Sequence, residues 1–208
     1  MTSPDLRTTQ IHGLTLFDNI VPAELGNRIR ARLLSVGPHH RSDIIIDSQR
    51  HPAPRLTSSF SDAPLRLDGM RASLPWTPEV AALRDVIGGR FGLSFNYALA
   101  NLYRDGSDFT GWHRDKAKLH RPGSTIAIVS FGATRTLSIR RRGSDAAATW
   151  PLVDSSVVLM TLGLQESHEH AILAEPEDVG MRVSITLRHI RILPEYSIVT
   201  GDAVGVMA

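Results

Sequence analysis

From Phe95 onward the apolar residues of this 208-residue chain recur with a period of two. That spacing marks strands that bury one face. Candidate strands fall at 95–103, 125–131, 134–140, 150–153, 156–161 and 182–190, separated by Gly, Asp and Pro. The C-terminal half is therefore mainly β. Upstream the period is helical. Leu25, Ile29 and Leu33 recur every fourth residue across 22–35, where Pro22 suits a first turn. A second helix is expected to begin at Thr77 and Pro78, carry Val80, Leu83 and Ile87, and stop near Gly88 and Gly89. Both read as amphipathic supports.

Residues 38–76, between the helices, are rich in Pro, Ser, Arg and His and show little long-range periodicity. They read as irregular structure with short strands that could cover a site, and a disordered linker is the competing reading. The tail after Pro194 is too short to be a domain. A single domain over 1–208 is expected, with a helical and irregular support region over about 1–94 and a core over about 95–192.

Composition narrows the chemistry. A hydrophobic fraction of 42% and a charged fraction of 21% are ordinary globular usage. No apolar run approaches the roughly 20 residues a membrane helix needs, and Met1–Gln10 lacks a signal-peptide layout, so a cytoplasmic protein with no membrane partner is expected. With no cysteine, a metal must be held by imidazole and carboxylate. The net charge is only +2, and Lys116 and Lys118 are the only lysines. The run Arg140, Arg141, Arg142 could touch a nucleic-acid backbone, although a solvated turn is the preferred reading on charge alone.

Gly111-Trp112-His113-Arg114-Asp115 sets a histidine and a carboxylate two residues apart, on one face of an extended backbone. A third ligand from His168 or His170 would complete a two-histidine, one-carboxylate facial triad, the arrangement that leaves positions open on non-haem iron(II). Alone, His-x-Asp is a weak motif. The C-terminal strand strengthens it. Alternation puts Arg182, Ser184, Thr186 and Arg188 on one face and Val183, Ile185 and Leu187 on the other, so two guanidinium forks suited to a dicarboxylate share a face. Phe95, Tyr97, Leu99, Asn101 and Tyr103 also share one parity, which suggests a lined cavity.

Taken in order, Asn101-Leu102-Tyr103-Arg104-Asp105-Gly106-Ser107-Asp108, His113-Arg114-Asp115, Ser130-Phe131-Gly132, His170 and Arg182 to Arg188 resemble the AlkB family of oxygenases. Pro54-Arg55 and Pro75-Trp76 look like further family landmarks, and the resemblance covers about residues 54–190. It implies a mainly β fold with supporting helices, built on a double-stranded β-helix, or jelly-roll, core. It also implies an iron(II) enzyme using 2-oxoglutarate and dioxygen, with His113, Asp115 and His170 as metal ligands and His168 two residues short. Arg182 would match the position that pairs with the inner carboxylate of 2-oxoglutarate. Arg188 would grip the distal one, helped by Asn101 and Tyr103, with Thr186 between. The implied reaction hydroxylates an N-methyl carbon on a damaged base of DNA or RNA, and the product collapses to formaldehyde and the repaired base. The base would be flipped out or presented on a single strand. A monomer is expected.

Phe60, Trp112 and Ala117 are the expected substrate contacts, and the chain departs from the family pattern in that region. Ala117 stands where an acidic residue is common. Segment 55–70 offers only Phe60 as a stacking ring, with Leu65 and Leu67 where rings might be expected. Stacking is worth roughly 1–3 kcal/mol per base. Ser184 replaces a frequent asparagine. Beside nucleic-acid demethylation there stands an oxygenase acting on a small molecule, protein side chain or atypical nucleotide. A third reading, a jelly-roll binding module without metal, is opposed by the intact triad and both arginines.

Overall fold

The protein is described here by a computed structural model, in residues 5–7, 9–35, 40–46, 49–67, 71–176 and 178–192. The tail after Pro194 lies outside the described residues. Two helices form where the fourfold spacing predicts them. Helix α1, Ala23–Ser35, buries Leu25, Ile29 and Leu33. Helix α2, Pro78–Phe91, starts with Pro at its first turn, and the Thr77 hydroxyl accepts from Val80 N. It runs past the expected stop at Gly88 and Gly89 and ends at Gly92, which takes the left-handed conformation at φ 65°. Gly88 serves packing instead of termination. A Cβ there would lie 2.8 Å from the Leu93 carbonyl oxygen that folds back across the helix end.

Among the described residues, twelve strands form two antiparallel sheets. The larger contains β1 (Asp5–Arg7), β2 (Leu14–Asp18), β3 (His40–Ile46), β4 (Gln49–Ser61), β5 (Tyr97–Tyr103), β7 (Thr125–Gly132), β10 (Val157–Thr161) and β12 (Arg182–Arg188), in the order β1-β2-β10-β7-β12-β5-β4-β3. The smaller contains β6 (Thr110–His113), β8 (Arg135–Arg141), β9 (Ala147–Leu152) and β11 (His168–Ile172), in the order β6-β11-β8-β9. This is the jelly-roll expected from the resemblance. A short helix, α3 (Leu162–Ser167), joins β10 to β11.

Segment 38–76 corrects the sequence reading. Its first part is regular where described: β3 pairs with β4, and β4, at 13 residues, pairs with β5 from Leu56↔Leu102 to Ser61↔Tyr97, whereas residues 62–67 and 71–76 are irregular, as expected, with isolated bridges only. The strand carries little apolar signal because its inward positions are hydroxyl residues. Thr57, Ser59 and Ser61 are buried despite their polarity.

Alternation sorts the two faces of the larger sheet. Val183, Ile185 and Leu187 of β12, with Ala98, Ala100 and Leu102 of β5, pack against α1 and α2 in one apolar cluster. The opposite parity points at the smaller sheet. There Ile126, Val158 and Met160 meet Leu137, Ile139 and Leu152 in a second cluster, each such side chain contributing roughly 1.5–3 kcal/mol by burial. The polar residues of that inner face are left to line a cavity. No helix among the described residues is long and apolar enough to cross a membrane.

Candidate active site

The cavity lies between the sheets, has a volume of about 60 Å³, and is lined by His113, Asp115 and His170 at one end and by Tyr103 and Arg182 among its other residues. Strand register brings the two histidines together. His113 ends β6 and His170 lies opposite it on β11, so residues 57 apart in sequence are ladder neighbours with ring centroids 4.2 Å apart. Asp115 follows two residues after His113. Its backbone N donates to Gln165 Oε1 at 3.0 Å, and its Oδ1 accepts from Arg188 Nη2 at 2.8 Å.

Protonation suits metal ligation. Burial raises the Asp115 carboxyl, but Arg188, followed by His170 and His113, outweighs it and holds the group at about 2. Burial, then the neighbouring His113, draws His170 down to about 3, and burial lowers His113 as well. Both rings are therefore neutral at neutral pH. His113 Nδ1 lies 2.9 Å from the Gly111 carbonyl, which can only accept, so Nδ1 carries the proton and Nε2 keeps its lone pair. Asp115 Oδ2 is buried without a hydrogen-bond partner. Among the described residues, no group of three or more His, Asp or Glu side chains stands close enough together, as placed, to hold a metal ion. Two neutral imidazoles and a carboxylate with one unsatisfied oxygen nonetheless line one cavity, and that donor set fits iron(II) with open positions.

The other end fits a carboxylate. Arg182 is 1% exposed, and its Nη2 donates to Ser130 Oγ at 2.9 Å while Nε and Nη1 are buried and unpartnered. Its Cζ lies 5.1 Å from the Tyr103 ring centroid. Burial lowers its pKa, with Tyr103 opposing. A buried guanidinium with two unmet donors is costly unless an anion satisfies them. Asn101 is oriented by Arg55, whose Nε donates to Asn101 Oδ1 at 2.9 Å, turning Nδ2 to Ser184 Oγ at 3.4 Å. Thr186 also lines the cavity.

The two arginines differ in their contacts. Arg188 contacts Asp115 and so sits at the metal end, whereas Arg182 lies against Tyr103 and Ser130. Of the two guanidiniums, Arg188 is thus the one in contact with the candidate ligand Asp115.

The three expected substrate contacts do not line this cavity. Phe60 is fully buried in the helix-side core, since β4 alternation pairs it with Ala98 on the helix face. Trp112, by alternation from His113, takes the outer face of the smaller sheet, with Arg140 Cζ 4.3 Å from its ring centroid and Glu169 paired to that arginine. Ala117 opens a short 3-10 turn and is exposed beside a separate surface depression. His168 is also apart from the cavity, its Nδ1 2.8 Å from Ser167 Oγ.

Several supporting residues escaped the sequence reading. Gln165, buried in α3, holds the backbone of Asp115, and no periodicity flags a lone polar residue in so short a helix. Arg55 and Ser130 stood only within motifs, with no role assigned to them. Arg135, with no exposure at all, donates from Nη1 to Asp105 O and from Nη2 to Gly106 O, Asp108 O and Leu173 O. It thereby staples the loop between β5 and β6 to the end of β11, beside the strand that carries His113. Asp108 reinforces the loop by accepting from Arg104 N, Nε and Nη2 at 2.7–2.9 Å.

A family model described as the 2OG-Fe(II) oxygenase superfamily matches residues 13–188. The chain is 34% identical over 151 residues to the human DNA oxidative demethylase ALKBH2, covering 67% of this chain and 58% of that protein. It is 27% identical over 196 residues to the alpha-ketoglutarate-dependent dioxygenase alkB homolog 3 of Rattus norvegicus, covering 89% and 66% respectively. The chain spans about three-fifths of the length of the first curated relatives it matches. The solved structure of OsALKBH1 superposes with a TM-score of 0.65 at 16% identity, over 89% of this chain and all of that one.

Proposed function

Because the chain belongs to the 2OG-Fe(II) oxygenase superfamily and, within it, to the AlkB family, we propose that it is an iron(II)- and 2-oxoglutarate-dependent dioxygenase that demethylates alkylated bases in DNA or RNA. His113, Asp115 and His170 hold the metal. Arg188 takes the carboxylate beside the metal, and Arg182 takes the distal carboxylate with Tyr103. Asn101 and Thr186 line the space between. When bound, iron(II) and 2-oxoglutarate supply the two-electron oxidation that activates dioxygen and releases succinate and carbon dioxide.

The observation that carries this reading is the pairing of unmet groups in one cavity: an unpartnered carboxylate oxygen on Asp115 and two unpartnered guanidinium donors on Arg182. A metal satisfies the first and a dicarboxylate the second. The neutral histidines keep their lone pairs, and the apolar walls of Ile128, Leu137 and Leu152 exclude water. The human relative's name, DNA oxidative demethylase, supports a nucleic-acid substrate. Exposed Arg114, Lys116 and Lys118, following His113, suit contact with a phosphate backbone. Hydroxylation of the N-methyl carbon would give a hemiaminal that releases formaldehyde and leaves the base with its N–H.

A second reading, oxidation of a small molecule, protein side chain or atypical nucleotide, is favoured by one observation: no aromatic ring from residues 49–67 lines the cavity, Phe60 being core. One experiment separates the two. Iron-loaded protein is incubated with 2-oxoglutarate and methylated DNA and RNA oligonucleotides, and succinate, formaldehyde and base mass are followed separately. Formaldehyde matching the mass loss supports demethylation. Succinate formed without any change in the oligonucleotides selects the second reading, and no 2-oxoglutarate consumption with any substrate rejects both.

A further inference from the structure

His120 lies five residues beyond Asp115, outside the motifs that identify the family, and is 4% exposed. Its Nδ1 is 3.1 Å from the Lys116 carbonyl oxygen. A carbonyl only accepts, so Nδ1 carries the proton and Nε2 is a lone-pair acceptor. That Nε2 is buried with no hydrogen-bond partner, an expensive state for a polar atom. A complementary orphan belongs to a residue lining the same cavity. Arg188 Nε, a donor, is also buried and unpartnered, while the same guanidinium spends Nη2 on Asp115. His120, Arg188 and Asp115 line one common cavity of about 220 Å³.

The backbone fixes this proximity. His120 forms an isolated antiparallel bridge with Ile190, two residues after Arg188, and Arg191 N donates to Leu119 O at 2.7 Å. The loop that follows the His113-x-Asp115 segment is thus stitched to the end of the strand that carries Arg188. The ring is also electrostatically coupled to both Arg188 and Asp115.

From this geometry we propose that His120 is a positioning residue for Arg188. Its Nε2 accepts from a water in the shared cavity that in turn accepts from Arg188 Nε–H, and this bridge fixes the guanidinium so that its Nη edge faces Asp115 and the co-substrate carboxylate. The role is asymmetric. Asp115 holds one Nη of the fork, and His120 holds the Nε side, so the plane of the fork is set from two directions. Without His120, Arg188 keeps its charge and its link to Asp115 but rotates about that link. The co-substrate role of Arg188 rests on the reading above; the orientation of the side chain does not.

Two measurements test this, one without any ligand. In the 1H–15N spectrum of arginine side chains, Arg188 Hε, identified by its loss in Arg188→Lys, is expected to exchange slowly with water in the wild type and in His120→Gln, which retains an acceptor. It is expected to exchange rapidly in His120→Leu. In parallel, the Kd of 2-oxoglutarate for the manganese-loaded protein is measured by calorimetry. His120→Leu is expected to weaken it about tenfold, the scale of one lost hydrogen bond to a charged group. His120→Gln should recover it to within about threefold, and manganese affinity should change less than threefold. Fast exchange of Arg188 Hε in the wild type, or equal loss of 2-oxoglutarate affinity in the Leu and Gln variants, overturns the proposal and leaves His120 as packing. Should wild-type protein bind no 2-oxoglutarate, the co-substrate reading fails while the exchange measurement still decides the role of His120.

Discussion

Replacing Arg182 with methionine gives opposite results depending on whether the residue serves the fold or a ligand. In the protein without ligand, Arg182 is 1% exposed and satisfies one donor, to Ser130, with the Tyr103 ring 5.1 Å away. Arg182→Met removes a buried charge and two unmet donors and loses one hydrogen bond worth about 1 kcal/mol. Exchanging a buried charge for an apolar side chain of similar volume is commonly neutral to stabilising by about 1–4 kcal/mol. The net expectation is a change between about −1 and +3 kcal/mol, and at about 2–4 °C per kcal/mol for a chain of this size the Tm should lie between about 4 °C below and about 12 °C above that of the wild type. A ligand-binding role reverses the outcome once 2-oxoglutarate is added. At a hundredfold excess over Kd, the manganese-loaded wild type should gain about 2.7 kcal/mol, or about 5–10 °C. The variant should gain almost nothing. Differential scanning calorimetry with and without 2-oxoglutarate measures both. A variant that melts 5 °C or more below wild type without ligand and keeps the full 2-oxoglutarate shift would refute the reasoning.

Asp115→Ala should abolish turnover and weaken metal binding by at least about 100-fold, because it removes one ligand and leaves Arg188 without its acceptor, whereas His168→Ala should retain both within about twofold; metal titration and succinate release check the pair. Metal-free protein should lose stability on acidification. His170 is held at about 3 against 6.5 for the free side chain, so its contribution is complete above about pH 6.5 and drains as pH falls toward 3, and Asp115, at about 2 against 3.8, adds a loss in the same direction below pH 3.8. His170→Phe should flatten the upper part of that slope in urea melts taken between pH 7 and 5. Gly106→Ala should lower the Tm by about 5–10 °C, since the added Cβ would meet Pro176 O at 1.8 Å and Glu175 O at 2.8 Å inside the loop stapled by Arg135.

What could be read from the chain follows the strength of its periodic signals. Strands β8 and β12 alternate in sequence, and β7 and β10 are short apolar runs bounded by Gly and Asp, so the bounds of all four fall within a residue or two of expectation. Helices α1 and α2 were legible for the same reason. Strand β4 was not, because its inward side chains are Thr and Ser, whose burial is compensated by pairing with β5 and not announced by hydrophobicity. Strands β6 and β11 are four and five residues long, too short for a period to show. The same limit governs the site. His113 with Asp115, and Arg182 with Arg188, each lie on one stretch of strand, so local spacing set their shared faces. The register that sets His170 against His113, and the crossing that brings Arg188 to Asp115, are tertiary facts. That Arg188, and not Arg182, meets Asp115 could not be read for that reason, and Phe60 failed because one residue of register decides which face of β4 a side chain takes.

The bond between Arg188 and Asp115 couples a cation subsite to an anion subsite thermodynamically, within one end of the cavity. Each is the other's partner in the protein without ligand. A divalent cation drawn to Asp115 competes with the guanidinium for the same carboxylate and so releases it toward an incoming anion; an anion drawn to Arg188 likewise frees the carboxylate for the cation. Each ligand therefore prepares the subsite of the other. Reciprocity requires that the factor by which the cation tightens the anion equal the factor by which the anion tightens the cation. The order in which the two arrive can change the rates of assembly but not this common factor, which is a property of one ion pair.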